Sequence, residues 1–416
     1  MTVAAPTTRS GARVSMALIL TLAVQSAVPP FATDTYTPAF PRVTADLGTA
    51  AATVGLTLTL FFLGYGGGQL LGGPISDRYG RRVPLIIGGV VCTLGAIGCA
   101  LAPSIGLLLA MRLVQGVGGG IAATVARAVV IDVAHGDAMA RMMSILMALG
   151  GLAPAIAPVV GGIVLTAGGG WRTIFWVLVG FGVLMTAAAA IFVPETLPPA
   201  DRHRGGLGGV IRGFGSVLRA RSFVAYMLLN AFSAFAMLGY IANASYVLQG
   251  MNGMPALPYS LFFASTALAQ VALSIVNARL VGRFRPQQLI GLGLILSAIA
   301  GVLIALAVIV WDAAILPLCT GFLILMAAQA FIFGNAAALA VTDVTDRAGS
   351  ASALLGIAQA LALALSAPLA TVGGTSTATP MVVVILTGVL GAGACYFVAR
   401  GRGRTATRRE RHESDR

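Results

Sequence analysis

Apolar runs of some twenty residues or more alternate along this chain with short polar connections. That is the period of helices long enough to cross a bilayer, which need about 20 apolar residues each. Twelve spans are predicted, over 15–37, 51–73, 84–103, 106–130, 142–166, 172–193, 222–246, 259–281, 287–310, 314–341, 350–372 and 379–399. The start, MTVAAPTTRSGARVSM, has no small-residue cleavage site ahead of a short apolar region, so the first run reads as a retained span.

The connections alternate in charge. One side carries Arg9, Arg13, Arg78, Arg81, Arg82, Arg141, the 202–221 cluster, Arg279, Arg283, Arg285, Arg347 and the tail, whereas the other carries only Arg42 and Arg172. The excess of cations on cytoplasmic loops then puts both termini in the cytoplasm. The expected location is the cytoplasmic membrane. The one long polar interruption, 194–221, is rich in Gly, Pro and Arg and suits a cytoplasmic linker with one short surface helix. The expected divisions are a cytoplasmic tail (1–14), a six-helix half (15–193), the linker (194–221), a second six-helix half (222–399) and a basic tail (400–416). A faint echo links the halves: ARLVGRFRPQQLI, from Ala278, aligns with PISDRYGRRVPLI, from Pro74. Paired six-span halves make a transporter architecture. The fold class is therefore an all-α polytopic membrane protein.

Composition sharpens this picture. The 416 residues are 58% hydrophobic and 9% charged, with mean hydropathy +0.93, far from the balance of a soluble domain. The formal net charge of +13 falls in short loops and the tail, as topology signals do, and forms no nucleic-acid face. Every basic residue is Arg, which fits a GC-rich bacterial genome. A chain without lysine cannot hold a GxxxxGK[ST] phosphate loop, so ATP hydrolysis by this chain is excluded. The glycine-rich VQGVGGGIAAT (114–124) reads as close helix packing. Cys92, Cys99, Cys319 and Cys395 lie in apolar runs, and His135, His203 and His412 in polar segments, with no metal or catalytic spacing. No enzyme, cofactor or metal is expected. The longest connection is under thirty residues, too short for an appended sensor domain.

Charges inside spans are costly and mark function. Two stand out. Asp34 lies in PPFATDTYTPAFP at the outer part of span 1, and Arg112 lies in LLLAMRLVQG near the outer start of span 4. A carboxylate beside an arginine stays ionised, whereas one in a dry cavity retains its proton; a cycle between the two would make Asp34 a proton carrier. The alternative is that Asp34 caps a frayed helix end and Arg112 snorkels to the headgroups. Pro29, Pro30, Pro38 and Pro41 break span 1 around the acid. In span 5, Gly150, Pro154, Pro158 and Gly162 recur every four residues, with Gly161 beside the last. That stripe suits a hinge or sliding contact, or ordinary tight packing. Asp132, Asp312 and Asp343 fall at span ends and read as interfacial.

These motifs together resemble the major facilitator superfamily. GGPISDRYGRR, with Gly73, Asp77, Arg78, Gly80, Arg81 and Arg82, resembles the signature loop between helices 2 and 3, with Ile75 in place of the usual Leu. RLVQG (Arg112, Gln115, Gly116) is similar to the helix-4 motif. APAIAPVVGG resembles the helix-5 antiporter motif, with Ala157 in place of a glycine. DTYTPAFP, PETLP (194–198) and AGSASALLG (348–356) resemble the Bcr/CflA group of drug:proton antiporters. The resemblance implies that the signature loop clasps the two halves, Asp77 facing the helix-11 N-terminus, where the helix dipole would stabilise it; the arginines alone could instead only fix topology. It also implies proton-coupled export of amphipathic antibiotics such as phenicols or bicyclomycin-like compounds. A proton-coupled carrier of a small metabolite is the alternative. Tyr36, Gln115, Asn230, Tyr240, Gln329 and Asn335, polar or aromatic within spans, are expected to line the substrate site. Gln25 and Ser26 stand where some multidrug members carry a second acid, which tilts the expectation toward neutral antibiotics. The expected partners are a small-molecule drug, protons and lipid, with no nucleic acid, and the chain is expected to act as a monomer.

Overall fold

The protein is described from a computed structural model covering residues 15–134, 136–202, 214–342, 344 and 348–414. The first fourteen residues, His135, residues 203–213 of the linker (His203 among them), Asp343, residues 345–347 (Asp346 and Arg347 among them) and the last two residues lie outside the described residues.

Span 1 is broken. Helix α1 (Met16–Ser26) starts at Ser15, whose hydroxyl accepts the Leu18 N–H, and α2 (Val28–Asp34) follows at once. A 3₁₀ turn (Thr37–Ala39) and α3 (Phe40–Asp46) complete the segment. Pro29, Pro38 and Pro41 each occupy a first-turn position of one of these pieces, where the missing N–H costs nothing and the fixed φ suits a helix start. The two arms of the span meet at 45°. The expected break is therefore present, and proline sets its joints.

The remaining spans are α4 (Ala51–Tyr79), α5 (Arg82–Ala100), α6 (Ile105–Val133), α7 (Gly136–Thr166), α8 (Trp171–Phe192), α9 (Arg221–Ser245, continued by a π turn to Met251), α10 (Ala256–Leu280), α11 (Pro286–Ile309), α12 (Ile315–Val341), α13 (Ala348–Thr371) and α14 (Thr379–Ser414). Eleven helices are long and apolar enough to cross a membrane, and twelve spans result when the bent first pair counts as one. No strand occurs among the described residues beyond an isolated bridge between Val281 and Phe284. The last helix runs through the boundary expected at residue 399 and into the tail.

Within the first half, α6 packs against α4 and α5, and α5 against α8; in the second, α11 packs on α12 and α9 on α13 and α14. The α4–α6 contact explains the glycine-rich run. A Cβ on Gly64 or Gly68 would overlap backbone of Leu113 or Val117, and one on Gly116 or Gly120 would overlap the carbonyl oxygens of Phe61 or Tyr65. Small residues on both faces let the two backbones touch, which is how helices associate where lipid supplies no hydrophobic drive.

The halves meet through α7 on α10 and α4 on α13. The α4–α13 seam is tight near the α4 N-terminus. A Cβ on Gly55 would lie 2.5 Å from the Thr371 hydroxyl, and Thr59 donates to the Ala364 carbonyl at 2.5 Å. On the same face the Thr44 and Tyr246 hydroxyls bond at 2.7 Å, and Gln249 donates to the Pro38 carbonyl at 2.9 Å. Toward the arginine-rich face the same helices part around a chamber of about 930 Å³. The molecule is thus closed on the arginine-poor face and opens toward the arginine-rich one.

Candidate functional site: a broken first helix, a buried arginine and an inner chamber

Where α2 ends, the Tyr36 N–H turns back to the Thr33 carbonyl at 3.2 Å, which frees the Ala32 carbonyl. Arg112 takes it. This side chain is fully buried and its Nη1 donates to the Ala32 carbonyl at 2.9 Å and to Gln115 Oε1 at 2.7 Å. Its guanidinium carbon stands 4.5 Å from the Phe61 ring centre and 5.5 Å from that of Tyr36. Arg112 therefore does not snorkel to the headgroups; carbonyls, an amide and π faces surround it.

Asp34, two residues beyond Ala32, is buried as well. The Thr33 hydroxyl donates to its Oδ1 at 2.8 Å, and the Asp34 backbone carbonyl accepts from Thr37 at 3.1 Å. Among the described residues Asp34 has no basic partner. Arg112 and Asp34 hold the same helix break without pairing. The adjacent 3₁₀ turn packs against α9 and α10 of the second half, and Asp34 lies within electrostatic range of Tyr240 and Tyr259.

The signature loop makes a compact ionic knot on the arginine-rich face. Arg81 bonds Asp77 at 2.5 Å, Asp132 at 2.9 Å and the Ser76 hydroxyl at 2.7 Å, and Thr196 also donates to Asp132, at 2.8 Å. Glu195 receives the backbone N–H of Arg81 at 2.7 Å and of Arg82 at 3.4 Å, so it caps the start of α5. Burial works against its charge, but the N–H groups of Arg81, Leu197 and Arg82 and the nearby Arg202 outweigh that and hold its pKa below the ordinary value. Gly80 sits at φ +90°, and a Cβ there would overlap the Glu195 carboxylate. Arg82 donates to the Ala190 carbonyl at 2.7 Å, Arg78 lies over the Tyr79 ring, and Gly73 faces open space. Asp77 is paired with Arg81 four residues on, across the turn that joins α4 to α5. Asp132, read from sequence as merely interfacial, and Glu195 are the members that spacing could not reveal, since 114 residues separate Arg81 from Glu195.

In α7, Pro154 and Pro158 lie inside a continuous helix. A Cβ on Gly161 would overlap the Thr35 carbonyl, and one on Gly162 would come within 2.5 Å of the Ser260 hydroxyl of α10, whereas Gly150 has nothing nearby. The stripe lies along the seam between the halves, packed at one end and free at the other.

The residues expected to line the substrate site lie apart from the chamber. Tyr36 and Gln115 surround Arg112. Tyr240 meets Thr266 at 3.1 Å and packs on Phe263 and Phe322. Asn230 donates to the Phe333 carbonyl, Gln329 to that of Leu325, and Asn335 to Asn277 and to the Phe331 carbonyl. None lines the inner chamber. Its walls are helical stripes of α4, α6 and α13, with Tyr65, Gln69, Thr124, Arg127 and Gln359 among apolar neighbours. Arg127 was overlooked although it lies within the span predicted over 106–130; the spacing Thr124, Arg127, Ala128, Ile131 marks one helix face.

Comparison with known proteins agrees with this architecture. The chain is 33% identical over 390 residues to the uncharacterized MFS-type transporter YdgK of Bacillus subtilis, covering 93% of this chain and 96% of that one. It is 28% identical over 381 residues to the bicyclomycin resistance protein homolog of Haemophilus influenzae, covering 92% and 94%. A bacterial homologue of the human lysosomal transporter Spinster, solved in an inward-facing and unoccupied conformation, superposes with a TM-score of 0.74 at 18% identity, covering 92% and 96%. The profile of the Major Facilitator Superfamily matches residues 22–367, and with twelve spans in two six-helix halves this chain belongs to that superfamily.

Proposed function

We propose that this protein exports amphipathic drugs, of the bicyclomycin or phenicol kind, across the cytoplasmic membrane in exchange for protons, by alternating access. The observation that carries this reading is Asp34: a buried carboxylate without a cationic partner among the described residues, placed where the broken first helix meets the second half. A proton gained or lost there changes the charge at the seam that must open and close, so protonation and conformation are linked. The kinship with a bicyclomycin resistance protein homolog supports a drug as cargo. The arginine-rich face is taken as cytoplasmic, so the chamber is the loading side and the signature loop flanks its mouth. In the opposite conformation the Asp77–Arg81 end of α4 would approach the start of α13 and act as a clasp.

Cells expressing the protein test the reading through drug accumulation. Expression is expected to lower intracellular chloramphenicol or bicyclomycin, and a protonophore to restore it. Unchanged accumulation of every antibiotic in a broad panel, with the protein shown to be inserted, contradicts export of drugs and favours a metabolite carrier.

A further inference from the structure

We propose that Arg127 is the cargo-reading residue of the inner chamber and that, within the amphipathic class, it favours molecules bearing a carboxylate, neutral compounds of the phenicol or bicyclomycin kind being held there more weakly. The inference rests on the reading above that this chamber is where cargo is loaded. Three helical stripes build it: Phe62, Tyr65, Gly66, Gln69 and Leu70 from α4, Thr124 to Ile131 from α6, and Ser352 to Leu363 from α13 of the other half. A volume of about 930 Å³ suits a drug-sized molecule.

Among the described residues Arg127 is the one cation in that lining, and no acid accompanies it. It makes no hydrogen bond or ion pair among the described residues. Compare Arg112, which is wrapped in carbonyls and rings, and Arg81, which is held by two carboxylates. Arg127 also stands six residues before the end of α6, about 9 Å inside it, and its helix face turns to the chamber. A topology signal needs neither that depth nor that face. A guanidinium kept free at the wall of a partly apolar space offers two parallel N–H donors, the geometry that a carboxylate accepts. Around it, Thr124 has a buried hydroxyl without a partner, Tyr65 lies within electrostatic range, and Gln69 and the opposing Gln359 add amide groups. Phe62, Leu70, Ile131, Ile357 and Leu363 supply the apolar wall for the body of the molecule. Cargo held between Arg127 and the α13 stripe would touch both halves, which is what closing around it requires. The absence of an acid disfavours cations, in line with Gln25, whose amide is spent on the Met185 carbonyl.

Three matched probes test this on the full-length protein in a lipid-free non-ionic detergent: 1-pyrenebutyrate, 1-pyrenebutanol and 1-pyrenebutylamine, followed by titration calorimetry. The wild type is expected to bind the carboxylate at least tenfold more tightly than the alcohol and the amine weakest, and Arg127→Gln to abolish the preference while binding of the alcohol changes less than threefold. Arg127→Lys, which keeps the charge without the fork, is expected to retain a reduced preference for the anion and serves if Arg127→Gln fails to fold. Equal affinities for all three probes in the wild type, or a preference that survives Arg127→Gln, overturns the proposal. So does loss of the carboxylate signal on adding phosphatidylglycerol while zwitterionic lipid has no effect, because the site would then belong to a lipid headgroup. Asp34→Asn separates this from the antiport reading: the preference is expected to persist in that variant, so proton coupling can fail with cargo selection intact, and the reverse.

Discussion

Gly80 holds φ +90° and leaves open the volume that the Glu195 carboxylate fills. A side chain there would meet both backbone strain and that carboxylate, so Gly80→Ala is expected to cost at least ~1–3 kcal/mol and to lower the thermal midpoint of the purified protein. Glu195 also gives the loop a pH limit. Its pKa is depressed in the fold, so its stabilising contribution is complete above the unfolded value of about 4.3 and is lost as pH falls through the lower folded value. Thermal midpoints of wild type and Glu195→Gln measured across that range are expected to differ at neutral pH and to converge in acid. At this scale the motif residues Asp77, Arg81, Asp34 and Arg112 were legible in sequence because each charge stands out in an apolar chain. Their partners were not. Arg112 chose a carbonyl freed by a helix break instead of the acid beside it, and the Arg81 partner Asp132 looked like an interfacial residue until α6 brought it within 2.9 Å.

The long helices α4 to α13 were read to within about six residues, because a twenty-residue apolar run has few alternatives in a bilayer, whereas α14 runs fifteen residues past its expected end. Faces within those helices were harder to read. Gln329 and Asn335 drew notice as polar groups in an apolar span, yet each donates to the carbonyl four residues earlier on its own helix. Such local bonding satisfies an amide N–H without any ligand, but the buried Gln329 oxygen has no partner among the described residues. Glycine, by contrast, carries its meaning in the neighbour. Gly64 and Gly68 on α4 and Gly116 and Gly120 on α6 face backbone, so Gly120→Val is expected to force the pair apart, costing ~3 kcal/mol or more with a marked drop in thermal midpoint. Gly73 on α4 faces open space, and Gly73→Ala is expected to leave the midpoint unchanged or raised slightly, by at most ~1 kcal/mol. Equal losses from the two would mean that α4 does not pack on α6 as described. The α7 stripe follows the same logic at the seam between halves: Gly162→Val, set against Ser260, is expected to block closure of the outer face and abolish transport while the protein still inserts.

Across the whole molecule, the seam closed on the arginine-poor face and the chamber opening toward the arginine-rich one describe one end of a transport cycle. The Thr59–Ala364, Thr44–Tyr246 and Gln249–Pro38 contacts must break for the other end to form; in the proposal above, the signature loop then clasps the arginine-rich side. The chamber could not be found by scanning the sequence, because its walls come from positions 62–70, 124–131 and 352–363 and only the fold lines them up. Coupling to protons is the central claim, and one measurement addresses it directly. Inside-out vesicles carrying an imposed proton gradient are given an antibiotic panel that includes chloramphenicol, and gradient collapse is followed for wild type and Asp34→Asn. Drug-dependent proton release by the wild type alone is the predicted result and places the coupling proton at Asp34. Release that survives Asp34→Asn, or no release with any drug, contradicts it.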